Sequence, residues 1–467
     1  MLTTIIGMVV ILSHLAGVLA AMHAVMNTRT PQGAFAWALG LVLLPYITLV
    51  PYLYLGRSRF HGYVDLHRLR REQMQALANV QLATGPAARE ACERYGEVAR
   101  MLGAQFHDGQ QLRLLINGEA TFNAILSAIS EARHCVLVQF FIIHDDLLGR
   151  RMQQALLERV RAGVEVCVLY DGIGSHALPH QYVDTLREAG VHIHPFATQR
   201  RSNRFQLNFR NHRKIVVVDG KHGFVGGLNV GDEYLGMKPP LAPWRDTHLQ
   251  IEGPAVVDLQ RSFAEDWHWV TGVLPPLLSP SPGGGTAHTL IAATGPADRQ
   301  ETCSLFFVAA IHAARRRLWI TTPYFVPDLA VMAALRLAVF RGVDVRVLIP
   351  SRPDHRTVFL ASGLYAHDAV RAGIRVFRYQ PGFLHQKILL VDDDTASVGS
   401  MNLDNRSFRL NFEIGALSVD RNFAAQVEAM LQEDFSHAHE VTEAEYLKAP
   451  YLKRLAMHVA RLFDPVL

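Results

Sequence analysis

Residues 1 to 56 carry a single charged side chain, Arg29. Thr4 to Met26 is apolar throughout, and Ala34 to Leu55 is apolar again. Each run exceeds the ~20 residues that cross a bilayer as a helix. The short polar turn NTRTPQG separates them. The pattern predicts a transmembrane hairpin over 1–56, with helices at about 4–26 and 34–55. No basic segment precedes the first run and the second run repeats the signal. Both points weigh against a cleaved signal peptide followed by a buried helix. Pro45 and Pro51 predict a bend in the second helix, and Trp37, Tyr46, Tyr52 and Tyr54 fall toward helix ends, as interfacial aromatics do.

Residues 57–110 read as an amphipathic, membrane-proximal linker, broken near Thr84-Gly85-Pro86. From about 111 short apolar runs alternate with helical patterns. Phe122 to Ala132, Gly149 to Ala162 and Tyr182 to Ala189 are predicted helices. Cys135 to Ile143, Val164 to Tyr170 and Val191 to Pro195 are predicted strands. The order then repeats. RAGVEVCVLY at 161–170 matches FRGVDVRVLI at 340–349, and AGVHIHPF at 189–196 matches AGIRVFRY at 372–379. A repeat of this length implies duplication. The Pro/Gly/Ser-rich stretch 274–288 divides the halves, 111–273 and 289–440. The expected fold class is α/β: two duplicated α/β/α halves related by a pseudo-twofold, after the helical hairpin. The tail, 441–467, reads as helical, with Lys448, Lys453, Arg454 and Arg461 beside Leu and Val. It either docks on the body or lies on a membrane surface.

One pattern repeats with chemistry in it. NHRKIVVVDGKHGFVGGLN, from Asn211, contains His212, Lys214, Asp219, Gly226, Gly227 and Asn229. HQKILLVDDDTASVGSMN repeats the spacing with His385, Lys387, Asp392, Gly399, Ser400 and Asn402, each 173 positions downstream of its counterpart. Ile215 to Val218 is a buried-strand pattern, so His212 and Lys214 share a face. An imidazole serves as nucleophile or general acid, and a lysine at i+2 supplies positive charge for a phosphate. A lone H-x-K is usually a strand end and a surface lysine; two copies in register are not. Asp219 and Asp392, at i+7, fall on the opposite face and read as mainly structural members of the motif. Asp246 in WRDTHLQIEGP and Glu413 in RLNFEIGA follow their motifs by about thirty residues. They are better candidates for holding an imidazole tautomer, the bland alternative being a salt bridge to a nearby Arg.

Composition narrows the partners. The chain has 467 residues and a net charge of only +4, which suits an anionic membrane but does not demand nucleic acid. Cys92, Cys135, Cys167 and Cys303 are widely spaced and read as free buried thiols. No cluster has metal-ligand spacing, so neither metal nor cofactor is expected. Five basic residues, Arg57, Arg59, Arg68, Arg70 and Arg71, follow the second apolar run against Arg29 alone in the turn. This charge bias places the body in the cytoplasm.

The paired motif resembles the signature of the phospholipase D superfamily, over most of residues 110 to 440. The GGLN…DEYLG…WRDTH and GSMNLDNRSFRLNFE phrases, with the N-terminal hairpin, narrow the resemblance to the bacterial cardiolipin synthases. The resemblance implies a multi-pass protein of the bacterial inner membrane with two phospholipase-D-like halves. It implies transfer of a phosphatidyl group between two phosphatidylglycerols, with release of glycerol. It further implies a phosphohistidine on His212, with His385 as the acid, although the residues alone do not rank the two histidines. Lys214, Lys387, Asn229 and Asn402 would hold phosphate oxygens, Asp246 and Glu413 would contact the histidines, and Ser400 and Ser407 would support the site. The partners implied are phosphatidylglycerol and other membrane phospholipids, with no nucleic acid. The alternatives are a phospholipase-D-type hydrolase, a phosphatidylserine synthase or, in a different substrate class, a membrane-anchored nuclease. The last lacks the expected basic stripe with interleaved aromatics.

Overall fold

The computed structural model describes residues 2–28, 31–56, 60, 86–196 and 208–464. The linker reading at 57–59 and 61–85, with its five arginines, lies outside the described residues. In the described part of that linker the chain is helical at Pro86–Arg94 and Gly96–Leu102, and the first strand of the body begins within it, at His107.

The first apolar run forms one helix, α1 (Leu2–Asn27), of 26 residues. Among the described residues it is the one helix long and apolar enough to cross a membrane. The second run corrects the prediction of a single helix over 34–55. It is two helices, α2 (Pro31–Leu43) and α3 (Pro45–Leu55). Pro45 has no N–H to continue the helical ladder, so the chain breaks at Leu44. At ~1.5 Å per residue, neither helix reaches across ~30 Å of hydrocarbon.

The pair folds into a V. Thr48 Oγ1 donates to Gly40 O at 2.9 Å, and the Trp37 and Tyr52 rings lie 5.2 Å apart. Along α1, His14 meets Tyr46, Gly17 abuts Leu41 and Pro45, and His23 Nδ1 lies 2.7 Å from Tyr52 OH. Thus α2 runs back along α1 as far as about Gly17, and α3 returns toward Asn27. A side chain on Gly17 would fall 2.3 Å from Leu41 O, so glycine sets how closely these backbones approach.

The body is built on one mixed sheet of sixteen strands, with four further short strands in two two-stranded sheets, among the described residues. In the first half the strands are β1 (His107–Ile116), β2 (Cys135–Phe140), β3 (Glu165–Asp171), β4 (His192–Phe196), β5 (Arg210–Asn211), β6 (Ile215–Val218), β7 (His222–Gly226), β8 (Trp244–Arg245) and β9 (Thr247–Glu252). In the second they are β10 (Ala287–Thr294), β11 (Arg317–Thr321), β12 (Phe325–Val326), β13 (Asp344–Pro350), β14 (Arg375–Tyr379), β15 (Phe383–Leu384), β16 (Ile388–Val391), β17 (Thr395–Gly399), β18 (Leu403–Asp404), β19 (Asn411–Val419) and β20 (Ala438–Glu440). From the centre outward one half reads β1-β9-β7-β6-β2-β3-β4 and the other β10-β19-β17-β16-β11-β13-β14. The two orders correspond strand for strand, as duplication about a pseudo-twofold requires. They join where β1 pairs antiparallel with β10.

Helices cover both faces. Val216 and Val218 of β6 face the cluster that includes Phe122 and Ile125, while Ile215 and Val217 face one shared by both halves, with Phe263, Trp267, Ile388 and Val427. This two-sided burial explains why the motif strand is β-branched and apolar at every position. The N-terminal helices are tied to the body: Asn208 Nδ2 donates to Leu55 O at 2.8 Å, and Phe60 packs its ring against Phe209, Trp269 and Phe412.

Candidate active site

The two motifs meet through short parallel strand pairs that cross between halves. β5 pairs with the start of β19, placing Asn211 opposite Phe412; His212 N then donates to Phe412 O at 2.9 Å. β15 pairs with β8, placing Leu384 opposite Arg245; His385 N donates to Arg245 O at 2.8 Å. The consequence is reciprocal. His212 Nδ1 lies 2.9 Å from Glu413 Oε2, and His385 Nδ1 lies 2.8 Å from Asp246 Oδ2. Each half's histidine is held by the other half's carboxylate. A buried carboxylate that is ionised only accepts, so each Nδ1 carries the proton and each Nε2 is left with its lone pair.

The motif residues explain one another. Gly227 stands where a side chain would fall 2.2 Å from Asp246 Oδ1, so glycine makes room for that acid. Its counterpart Ser400 instead donates Oγ–H to Glu413 Oε2 at 2.5 Å. Ser407 Oγ donates to Glu413 Oε1 at 2.8 Å, and Asn411 Nδ2 donates to the same oxygen at 3.1 Å. Lys214 Nζ reaches back to His212 O at 2.6 Å, and Lys387 Nζ lies over the edge of the His385 ring, 2.9 Å from Nδ1 and 3.2 Å from Nε2. Lys214 and Lys387 each feel both carboxylates electrostatically, so the four basic groups form one cluster.

Burial dominates its electrostatics. Glu413, Asp246 and Lys214 are fully buried, and His212 and His385 are below one-tenth exposed. Desolvation pushes both imidazoles down to about 4, so both are neutral near pH 7. Desolvation also pulls Lys214 down to about 7 and Lys387 to about 8. For Glu413 burial works upward, but its interaction with His212, the charge of Lys214 and the bond from Ser400 outweigh it and hold the carboxyl low. Asp246 is held low in the same way by Lys387 and His385.

Not every motif residue joins the cluster. Asp219 accepts the backbone N–H groups of Arg133, His134 and Cys135, and Asp392 those of Arg315, Arg316 and Arg317. Each aspartate, at φ near +50°, ties the end of its motif strand to the start of a neighbour. That is structural work, away from the imidazoles. Asn229 is also engaged: its side chain accepts Ile142 N–H at 3.2 Å and donates to Tyr234 OH at 3.0 Å. Asn402 Oδ1 is buried with no hydrogen-bond partner among the described residues.

Sequence reading missed the aromatic walls. Phe141 lies edge-on to His212 with ring centres 5.1 Å apart, and Trp244 lies 5.0 Å from His385. Tyr324 lies 6.4 Å from His385 and its OH donates to Asp354. Trp244 sits two residues before Asp246, a proximity that could have drawn notice. Cys135, Cys167 and Cys303 are free and buried, and no group of three or more His, Cys, Asp or Glu is placed to hold a metal among the described residues.

The chain matches the family model described as cardiolipin synthase, PLD-like domain, over residues 125–267 and again over 307–435. Residues 15–57 match a phospholipase D-nuclease N-terminal model. It is 58% identical to a protein named cardiolipin synthase A from Pseudomonas aeruginosa PAO1, across 100% of this chain and 97% of that one. It is 59% identical to one of the same name from Pseudomonas putida F1, across 97% of each. Among solved structures, the phosphatidylserine synthase of Haemophilus influenzae Rd KW20 superposes with a TM-score of 0.61 at 16% identity. That match covers 80% of this chain and 100% of the other, and it shows the fold.

Proposed function

Because this chain belongs to the cardiolipin synthase family of phospholipase-D-like phosphatidyltransferases, we propose that it transfers a phosphatidyl group from one phosphatidylglycerol to a second, releasing glycerol through a phosphohistidine. The observation that carries the reading is the crossed pair of imidazoles, each fixed at Nδ1 by a buried carboxylate and each neutral. His212 Nε2 attacks phosphorus, and the bond to the glycerol oxygen breaks as His385 gives that oxygen a proton. Lys387 is among the charges that hold the His385 imidazolium down, and the arriving phosphodiester anion offsets it, so His385 takes up its proton as substrate binds. The hydroxyl of the second phosphatidylglycerol then returns that proton to His385 and displaces His212 from phosphorus. Lys214 and Lys387 hold the phosphoryl oxygens throughout.

Water at roughly 55 M competes for the same intermediate, so transfer depends on holding a lipid alcohol close to it. Phe141, Trp244 and Tyr324 line the histidines with apolar surface, and Phe60, a few residues past the membrane element, packs on Phe412, next to Glu413. Purified full-length protein in phosphatidylglycerol vesicles is expected to yield cardiolipin and glycerol in equal amounts. Phosphatidic acid as sole product would show a hydrolase, product only with added serine a serine transferase, and nucleic-acid cleavage without lipid turnover a nuclease.

We assign the body to the cytoplasmic side of the bacterial inner membrane. In the V of α2 and α3, Leu55 returns to the Asn27 end of α1, so the chain leaves these helices on the side it reached after α1, and the five arginines in the sequence after residue 56 assign that side to the cytoplasm. The N-terminus then faces the periplasm, across a single full span. Tags readable from one side only, placed at each terminus, decide this: two tags on the same side would exclude the single span, and a periplasmic C-terminus would exclude a cytoplasmic body.

A further inference from the structure

The last helix of the chain, Tyr451–Arg461, docks on the helix Arg356–Arg371 by one narrow face. Met457 and Ala460 are buried there; Met457 Cε lies where a side chain on Gly363 would be, at 3.0 Å, and Arg461 Nη1 donates to Asp368 Oδ2 at 3.1 Å. Soluble helices turn their apolar stripe toward the body. This helix does the reverse. Leu452, Leu455 and Val459, spaced i, i+3, i+7, lie on one stripe with Tyr451, away from the docked face. Leu462 and Phe463 extend it past the helix end. All six are exposed, Leu452 at 74% and Leu462 at 77%.

The charges beside the stripe say what covers it. Lys448 precedes the helix, Lys453 and Arg454 leave it between the stripe and the docked face with side chains long enough to reach the same surface, and no acidic residue occurs between 447 and 463. A second copy of the chain packed stripe to stripe would bring these cations together unpaired, whereas an anionic lipid surface neutralises them while accepting the apolar side chains. We infer that Tyr451–Phe463 lies in the surface of the anionic bilayer, as a second membrane contact that fixes how the body is tilted over it. This surface is separate from α1 and does not depend on which lipid the site turns over.

The test uses the full chain reconstituted in phosphatidylglycerol-containing vesicles, with an environment-sensitive fluorophore on Leu452→Cys, on Val459→Cys and, as the flank control, on Lys453→Cys. The parent chain treated identically reports the native thiols, and only variants that retain lipid turnover are compared. At 452 and 459 emission is expected to rise about threefold or more on reconstitution, with quenching by nitroxides on lipid acyl chains and not by aqueous iodide, as for side chains sunk to the acyl boundary. Lys453→Cys should remain open to iodide. Iodide quenching at both 452 and 459 in vesicles would overturn the inference. So would shielding that persists in detergent and grows with protein concentration, which is the signature of a second copy.

Discussion

His385→Ala, supplied with a phosphatidyl donor whose leaving group is a nitrophenolate, is expected to form a phosphohistidine on His212 and stop there. With phosphatidylglycerol itself the same variant should turn over about ten-thousand-fold more slowly, the upper range for loss of a positioned acid and base. The logic lies in what each imidazole supplies. An alkoxide leaves badly and needs the proton that His385 carries, whereas a nitrophenolate leaves without one. Phosphorylation therefore survives with the activated donor, but the incoming lipid alcohol then has no base and the intermediate persists. His212→Ala should form no phosphoenzyme with either donor and lose turnover to a similar extent. The readout is mass-spectrometric location of acid-labile phosphate after a brief exposure to donor. Phosphate on residue 385 in His212→Ala, with none on 212 in His385→Ala, would exchange the two roles. Wild-type-like turnover in either variant at matched protein level would end the two-histidine reading.

The carboxylates should separate along the same line, but with the halves exchanged. Glu413 lies in the second half and holds the first half's His212; Asp246 lies in the first and holds His385. Glu413→Gln and Asp246→Asn are each expected to lower kcat by about 10²–10³-fold, between the cost of losing a ligand-orienting partner and that of losing a triad aspartate. An amide presents a donor where the carboxylate only accepted. It turns the imidazole to the tautomer with its proton on Nε2, where the lone pair is needed. Both residues act through a histidine, so turnover alone does not distinguish them from residues that merely hold the fold. The nitrophenolate donor does: Asp246→Asn should regain phosphoenzyme formation with it, and Glu413→Gln should not. Rates also carry a pH signature. Lys214 and Lys387 lose their charge above about 7 and 8, so wild-type kcat/KM should fall on the alkaline side, chiefly through KM, as the phosphate clamp goes neutral. The carboxamide variants remove the negative charge that raises each lysine, so this limb should move to lower pH. An unmoved limb in both variants, with no difference between donors, would reduce the two acids to structural parts.

Much of this was legible in sequence because it was local. The motif pair, the duplication and the helices and strands from residue 122 to 196 follow from periodicity, and the structure places them within a few residues of expectation. β1, β9, β10 and β19 did not announce themselves. They form the antiparallel centre where the halves fuse, and their patterns depend on a neighbour from the other half. The opposite-face argument at i+7 identified Asp219 and Asp392 as structural. The acids Asp246 and Glu413 were found by position, but not the crossing. His212 and Glu413 are 201 residues apart, and β5 and β8, two residues each, bring the motifs across; no periodicity resolves a strand that short. The second apolar run looked like one span because composition counts apolar residues without registering the missing N–H of Pro45.

The two carboxylates are alike in place and unlike in appetite. Glu413 satisfies Ser400, Ser407, Asn411 and His212, while among the bonds described Asp246 satisfies His385 and the backbone of Thr247. A carboxylate crowded with donors is a weaker base toward any one of them. Asp246 therefore divides its charge among fewer donors than Glu413 does. A duplicated site would start with interchangeable halves. The exchange of Gly227 for Ser400 breaks that symmetry in what each acid must satisfy, and the mechanism proposed above would use it to leave one imidazole more inclined to carry an extra proton and the other to keep its lone pair free. In that proposed mechanism the division of labour between the histidines would reside less in the histidines than in how well fed their partners are.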